Sequence, residues 1–477
     1  MVQKTLYFLR RYLRKGAVRI GMQMRKIFHG FFEVEPQERA KLFFLALAFF
    51  FIIAGYTIAR DLKDAMFMNI VGREYIPYAK TLSMFILVPA IFIYSLLVDR
   101  VRRYQLLTIY STFYGFAYLL MAYYIGHPTI GLLNKALGPD RLFGWLIYFL
   151  VEGYSPFVVG SFWAFANSVN DPEAAKKNYG LVVSGSKIGG ALSAGAAWWL
   201  FSWASVQNSH VVAVYAHQIA LFIAALFVLC IPIVLYYCMR LVPGEYLHGY
   251  EAAYRIEKQG KEKTGILEGL ILLLRYPYVM GIFGMVYFYE VISTVLSYLR
   301  LGVAEDLCGG NVSAKTAFLF KIYFITHLIG LMIALFGTRT LQSLLGTRAC
   351  LLLVPLMTGG FLFFMLSSGD SYAVVYAFIA LKAINYAFSW PVRETLYIPT
   401  IKDIKFKSKS WIDAFGSKVA RTSGSAVNVG MTHIGSHYFM AAHSFFFAGI
   451  VSLWFLAAFL LGRRFERAVK HNEVIGA

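Results

Sequence analysis

Apolar runs follow one another along nearly the whole chain, each closed by a short polar or basic turn. They fall at about 42–70, 77–98, 104–125, 142–166, 178–202, 211–237, 276–300, 313–337, 347–367, 371–392, 410–433 and 437–462. Each approaches the roughly 20 residues that a helix needs to cross a bilayer. Helix is the state open to such segments, because an open strand in lipid leaves its backbone groups unpaired. The pattern predicts an all-α polytopic membrane protein of about 12 transmembrane helices. The longest polar interval, Arg240 to Arg275, divides the runs six and six. The expected organisation is a basic amphipathic segment (1–40), a first six-helix half (41–238), a linker (239–275), a second half (276–462) and a basic tail (463–477).

The halves echo each other. Gly185-Ser186-Lys187 precedes Ile-Gly-Gly-Ala-Leu-Ser-Ala-Gly, and Gly416-Ser417-Lys418 precedes Val-Ala-Arg-Thr-Ser-Gly-Ser-Ala, an offset of 231 (416 − 185) in a chain of 477. Small residues at these spacings let helix backbones approach closely, which accounts for the glycines and leaves the lysines unexplained. Weak internal symmetry of this kind is a mark of transporters with a site between repeats.

Composition agrees. Hydrophobic residues make up 59% of the chain and charged residues 15%, against about 25% charged in soluble domains. The net charge of +20 gathers in the first 41 residues, at Arg100-Val-Arg102-Arg103, Arg255 to Lys263, Lys402 to Lys409 and Arg463 to Arg467. The intervening loops at 206–217, 367–373 and 434–440 carry no Lys or Arg. Cations hold their loops in the cytoplasm, so both termini are expected inside an inner membrane, and nucleic acid is not the expected partner. Tyr7, Phe8, Tyr12 and Leu13 among arginines suit a helix lying on an anionic lipid face. The four scattered cysteines fit a reducing cell.

Charges inside the runs carry the chemistry. Each costs about 2.5–3.5 kcal/mol at the centre of a span, so each needs a partner, a cavity or a task. The cations are Arg60, Lys63, Lys187, Lys321, Lys382, Lys418 and Arg421; the anions are Asp61, Asp64, Glu152, Glu290 and Asp413. The positive surplus points to an anion. Lys418 and Arg421, three apart, share a helix face, as do Arg60 and Lys63. Adding 231 to Glu152 reaches 383, one position from Lys382, so an acid of the fourth span is expected opposite a base of the tenth. Gly185-Ser-Lys187 is no phosphate-binding loop of the ATPase type, because the full motif and a preceding strand are missing. His433 and His437 sit at a predicted turn without a third ligand. No enzyme-like nucleophile, metal site or cofactor is expected.

Asp99-Arg100-Val-Arg102-Arg103, after the second run, resembles the Asp-Arg-x-x-Arg turn of major facilitator transporters. A wider likeness lies in Arg60-Asp-Leu-Lys-Asp64 with Ile76-Pro, and in Phe162-Trp-Ala-Phe-Ala-Asn167 followed by Glu173-Ala-Ala-Lys-Lys-Asn-Tyr179. It continues through Tyr397-Ile-Pro and Lys405-Phe-Lys-Ser-Lys409-Ser-Trp-Ile-Asp413 to Gly416-Ser-Lys-Val-Ala-Arg421. In these segments, covering residues 35 to 465, the chain resembles the ATP/ADP translocase family of intracellular bacteria and plastids. The resemblance implies a major-facilitator-like fold that exchanges ATP for ADP. It also implies that Lys63, Glu152 and Glu290 stand where the family needs a lysine and two glutamates. The family's eleventh-span lysine falls on Arg421, a departure that keeps the charge and offers a bidentate fork.

Residues and resemblance together assign Arg60, Lys63, Lys187, Lys382, Lys418 and Arg421 to phosphate binding through charge-assisted hydrogen bonds. Glu152, Glu290 and Asp61 are expected to gate or couple movement, and Tyr154, Phe162, Asn167 or Tyr397 to hold a base. The expected partners are a nucleotide (ATP, ADP or a relative) and the lipid bilayer, with protons or phosphate open as co-substrates. Proton-coupled uptake of another nucleotide or organic anion is the alternative within transport. A non-transporting scaffold or receptor is the alternative outside it.

Overall fold

The apolar runs become helices whose ends are set by ordinary local chemistry. The structure, a computed structural model, describes residues 36–170, 172–247, 268–336, 338–401, 404, 408–434 and 436–476. The expected amphipathic segment up to residue 35, the linker over 248–267 and the basic residues Lys402, Lys405 and Lys407 lie outside the described residues. So do the side chains of Asp99 and of Glu173 to Tyr179.

The first half comprises α1 (Pro36–Ile70), α2 (Ile76–Arg100), α3 (Arg103–Tyr124), α4 (Leu142–Ser168), α5 (Pro172–Val206) and α6 (His210–Leu241). The second comprises α7 (Pro277–Cys308), α8 (Val312–Phe336), α9 (Thr338–Ser368), α10 (Ser371–Ile384), α11 (Ser417–Thr432) and α12 (Ser436–Lys470). Proline in the first turn, where its missing N–H costs nothing, starts α2 and α7. Ser209 and Asp370 cap α6 and α10 by accepting from Val212 N and Tyr372 N. Gly309 (φ 53°) closes α7 in a backbone region that favours glycine, and Gly346 (φ 76°) divides α9 in two. Eight helices among the described residues are long and apolar enough to cross a membrane: α1, α3, α4, α6, α7, α8, the longer part of α9 and α12. The described residues form no β-strand, only an isolated bridge between Thr400 and Ile475.

Within the first half α1 packs on α5 and α6, and α3 packs on α6; within the second α7 packs on α11 and α12, and α9 on α12. The halves meet along α5 against α8 and α2 against α11. Glycines make the closest approaches possible. A methyl group at Gly189 would stand 2.5 Å from the Phe50 carbonyl oxygen of α1, and one at Gly424 would stand 2.9 Å from that of Val291 on α7. On the other side of α5, Gly190 and Gly195 face His327 and Phe324 of α8, at 3.0 and 3.2 Å from the same hypothetical methyl. The small residues of the fifth run thus serve both the half and the seam.

Two π-helical turns repeat the internal symmetry. One, Ser155–Val159, interrupts α4; the other, Asn385–Ser389, follows α10, an offset of 230 (385 − 155). A third, Ile412–Gly416, leads into α11. Such turns widen the helix, re-aim its side chains and gather at functional positions. Here they stand beside Glu152, Lys382 and Lys418.

The two ends of the bundle differ. At the end where α1, α5 and α7 finish, Arg73 Nε lies 3.4 Å from Glu305 and Asn311 donates to the Ser205 carbonyl at 3.1 Å. His217 and Thr316 meet at 3.3 Å across the seam there, with Phe201 stacked on Phe320. This end is sealed by contacts between the halves.

Candidate functional site

The charges that the apolar runs tolerate are gathered around one core. Lys63 of α1 donates to Glu152 of α4 in a very short ion-paired hydrogen bond, reaches Asp64 at 3.4 Å and lies 4.1 Å from the centre of the Tyr148 ring. Lys418 of α11 approaches the other oxygen of Glu152 at 3.8 Å. A carboxylate of the first half is therefore shared by a lysine from each half. On the opposite side Arg421 grips Glu290 of α7 with Nε at 2.9 Å and Nη2 at 3.4 Å, a two-pronged pair inside the second half.

The remaining cations surround this pair of carboxylates. Arg60 lies 3.6 Å from Asp61, and its guanidinium carbon is 4.2 Å from the centre of the Tyr323 ring of α8. Lys382 stands 5.6 Å from the Tyr289 ring and 5.8 Å from that of Phe378, within electrostatic reach of Glu290. Lys187 is partly buried on α5 and acts on His327 across the seam. The expected bridge across the midline is present with a different base: Lys418 makes it, while Lys382 sits by its own half's aromatic rings.

Exposure grades across the site. The Arg421 side chain is 44% exposed and that of Lys418 22%, whereas Lys63 is 4% exposed and Arg300 of α7 is fully buried. Water therefore reaches the cluster from the side of α11, and the sealed end shuts it off behind Lys63. Cations exceed carboxylates here, so the core attracts an anion with several charges; ring faces and guanidinium forks supply geometry as well as charge.

Two residues of the core escaped the sequence reading. Lys80 of α2 lies within electrostatic reach of Asp64, Lys63 and Glu152. Arg300 packs over Tyr323 and Phe378 with Asp64 at 3.9 Å. Lys80 stands near the start of the run at 77–98 and Arg300 is the last residue of the run at 276–300, and neither was counted among the charges within spans. In fact α7 continues two turns further, to Cys308. The apolar Leu301-Gly-Val-Ala304 past Arg300 was the available signal.

Three of the four residues expected to hold a base are placed otherwise. Tyr154 is fully buried, donates to the Ile52 carbonyl at 3.1 Å and stacks on Tyr56 at 5.3 Å. Phe162 is fully buried against Phe49 with ring centres 4.5 Å apart. Both rings are occupied in holding α4 to α1, so the expectation is corrected for them. Tyr397 belongs to another group, at the junction before α11, with Lys409 at 5.4 Å from its ring, Lys409 on Glu394 at 2.5 Å and Arg393 facing Asp413 at 4.0 Å. Asn167, near the end of α4, is exposed.

The profile of the family described as TLC ATP/ADP transporter matches residues 19–137 and 141–465. ADP,ATP carrier protein 1 of Rickettsia prowazekii is 23% identical over 510 residues, covering 94% of this chain and 98% of that one. The protein of the same name from Chlamydia pneumoniae is 24% identical over 502 residues, covering 92% and 95%. Among solved structures, a D-xylose-proton symporter superposes with a TM-score of 0.60 at 12% identity, covering 88% of this chain and 96% of that one. A bacterial homologue of the iron transporter ferroportin, in an inward-facing state, gives 0.57 at 14% identity, covering 91% and 99%. These likenesses place the two-half helical bundle among transporter folds.

Proposed function

The chain belongs to the TLC ATP/ADP transporter family, and from that premise we propose that it exchanges ATP and ADP by alternating access to its cation-lined core. It is a multi-pass membrane transporter, not an enzyme. The observation that carries the mechanism is the chain Lys63–Glu152–Lys418, which ties the halves together through a carboxylate inside the bundle.

A nucleotide entering from the α11 side meets Arg421 and Lys418 first. Its phosphates compete with Glu152 and Glu290 for these cations and draw in Lys63, Arg60, Lys187 and Lys382. With Lys418 on substrate, the link across the midline passes through the phosphates, and the halves are free to rock about it. Asp61 and Asp64 hold the cations of α1 in place when the site is empty. Asn167 is the exposed member of the expected base-binding group. An empty core crowded with like charges reorients poorly, so transport takes the form of exchange.

The basic loops and the sealed end suit an inner membrane with both termini in the cytoplasm, about 12 spans in two six-helix halves, and the site open inwards. The test is uptake of labelled ATP by cells or proteoliposomes holding the protein. Entry that depends on internal ADP, and release of the label by external ADP, is the expected result. Uptake driven by a pH gradient with no counter-substrate contradicts exchange; absence of any nucleotide flux contradicts transport.

A further inference from the structure

Arg300 is a fully buried charge that the exchange cycle above leaves without a task. It projects from α7 into the seam between the halves and is fully buried. Its guanidinium carbon lies 4.8 Å from the Tyr323 ring centre and 4.6 Å from that of Phe378. Asp64 of α1 faces it, with Nη2 to Oδ2 at 3.9 Å, beyond hydrogen-bond reach. Among the described residues, neither Nε nor either Nη donates a hydrogen bond, and Oδ1 of Asp64 accepts none. A fork of five donors has thus been taken out of water and given two ring faces and one loose ion pair. Donor sets buried in this way are costly, because the desolvation of a charged group is not recovered by Coulomb attraction alone.

The arrangement also crosses the halves. Asp64 belongs to the first and Arg300 to the second, and the Tyr323 ring beside Arg300 is also covered by Arg60 of the first, at 4.2 Å. Rocking that opens the sealed end separates α1 from α7 and takes Asp64 away. Asp64 then keeps Lys63, 3.4 Å distant, as its partner. Arg300 keeps no anion. A polyphosphate held at Lys63 and Lys418 brings acceptor oxygens to the same seam, and guanidinium is the side chain whose fork matches phosphate two bonds at a time.

We infer that Arg300 couples opening to occupancy: it exchanges Asp64 for a phosphate group of the bound nucleotide, so the sealed end opens readily only when the core is loaded. Arg300 is a positioning and coupling residue, and it adds to the like-charge barrier that makes transport an exchange. The inference rests on the exchange reading given above. It also explains why a guanidinium is buried with its donors idle: the loose pair is the resting partner and the substrate is the better one.

The experiment uses proteoliposomes of the full chain loaded with labelled ATP, with efflux measured in the presence and absence of external ADP and normalised to inserted protein. Wild type is expected to release label with ADP and little without it. Arg300→Gln removes the penalty on the empty carrier and a ligand from the loaded one. The ratio of ADP-driven to unstimulated efflux should then fall by about ten-fold, within the range typical of coupling between two sites. A purely structural role would lower both rates together and leave the ratio alone, and that result overturns the inference. Where Arg300→Gln inserts poorly, Arg300→Lys carries the test, since it keeps the charge and loses the fork; the ratio should fall, and an unchanged ratio overturns the inference. Wild type without ADP-driven release overturns the exchange reading and this inference with it, whereas wild-type exchange with an unaltered ratio in the variants overturns this inference alone.

Discussion

Glu152 of α4 and Glu290 of α7 are both carboxylates of the charged core, yet they hold different kinds of partner. Glu152 joins Lys63 of its own half to Lys418 of the other. Glu290 is held by Arg421, a neighbour in the same half, through two nitrogens of one guanidinium. The first carboxylate is a tie between moving parts and the second is a clamp that presents a cation to the open side. The difference follows from where each stands: Glu152 lies on the seam just before the π-turn of α4, and Glu290 lies where α7 packs on α11. A tie must be broken for the halves to rock, and a clamp need only loosen.

The largest expected effect comes from breaking the tie. Glu152→Gln takes its partner from Lys418 and leaves Lys63 with Asp64 alone, and removing one member of a buried pair costs about 3–5 kcal/mol, so exchange should fall by at least about 100-fold. Initial rates of labelled ATP uptake, normalised to inserted protein, check it. Glu290→Gln should cost less: losing hydrogen bonds to a charged group that is half open to water amounts to about 1.5 kcal/mol, roughly ten-fold in rate. Equal losses in the two variants would erase the distinction between tie and clamp.

A double-mutant cycle sharpens it further. Glu152→Gln combined with Lys418→Gln should show a coupling of about 1 kcal/mol in transport, while Glu290→Gln with Lys418→Gln should be additive within about 0.5 kcal/mol. The smallest effect is expected at the sealed end, where Arg73 and Glu305 are 31% and 42% exposed. Arg73→Gln should alter exchange by less than about five-fold, as surface ion pairs contribute about 0–1 kcal/mol. A larger loss would move the gate from the buried core to that surface pair.

Hydropathy located the helices well because depth in a membrane is written directly in residue type. It also marked Lys63, Glu152, Glu290, Lys418 and Arg421 as charges within apolar runs, and the structure pairs them inside one core, with members from both halves. The way a side chain faces around its helix was much less legible. Tyr154 and Phe162 flank Glu152 in sequence, yet both turn into the packing of α4 on α1, where a ring serves as core. Lys382 was matched to Glu152 by an offset of 231, but the π-turns that follow each residue re-aim their helices, and Lys418 reaches the carboxylate instead. Arg300 and Lys80, near the ends of their runs, were not counted among the charges within spans. Arg300 is in fact fully buried and Lys80 partly buried.

The central claim is that cations from both halves converge on one polyphosphate. A structure of the protein with bound ATP tests it most directly. The account predicts phosphates held between Lys63 of α1 and both Lys418 and Arg421 of α11, with Glu152 displaced from Lys418. Phosphates bound by the residues of one half alone, with the Glu152–Lys418 pair intact, would contradict it.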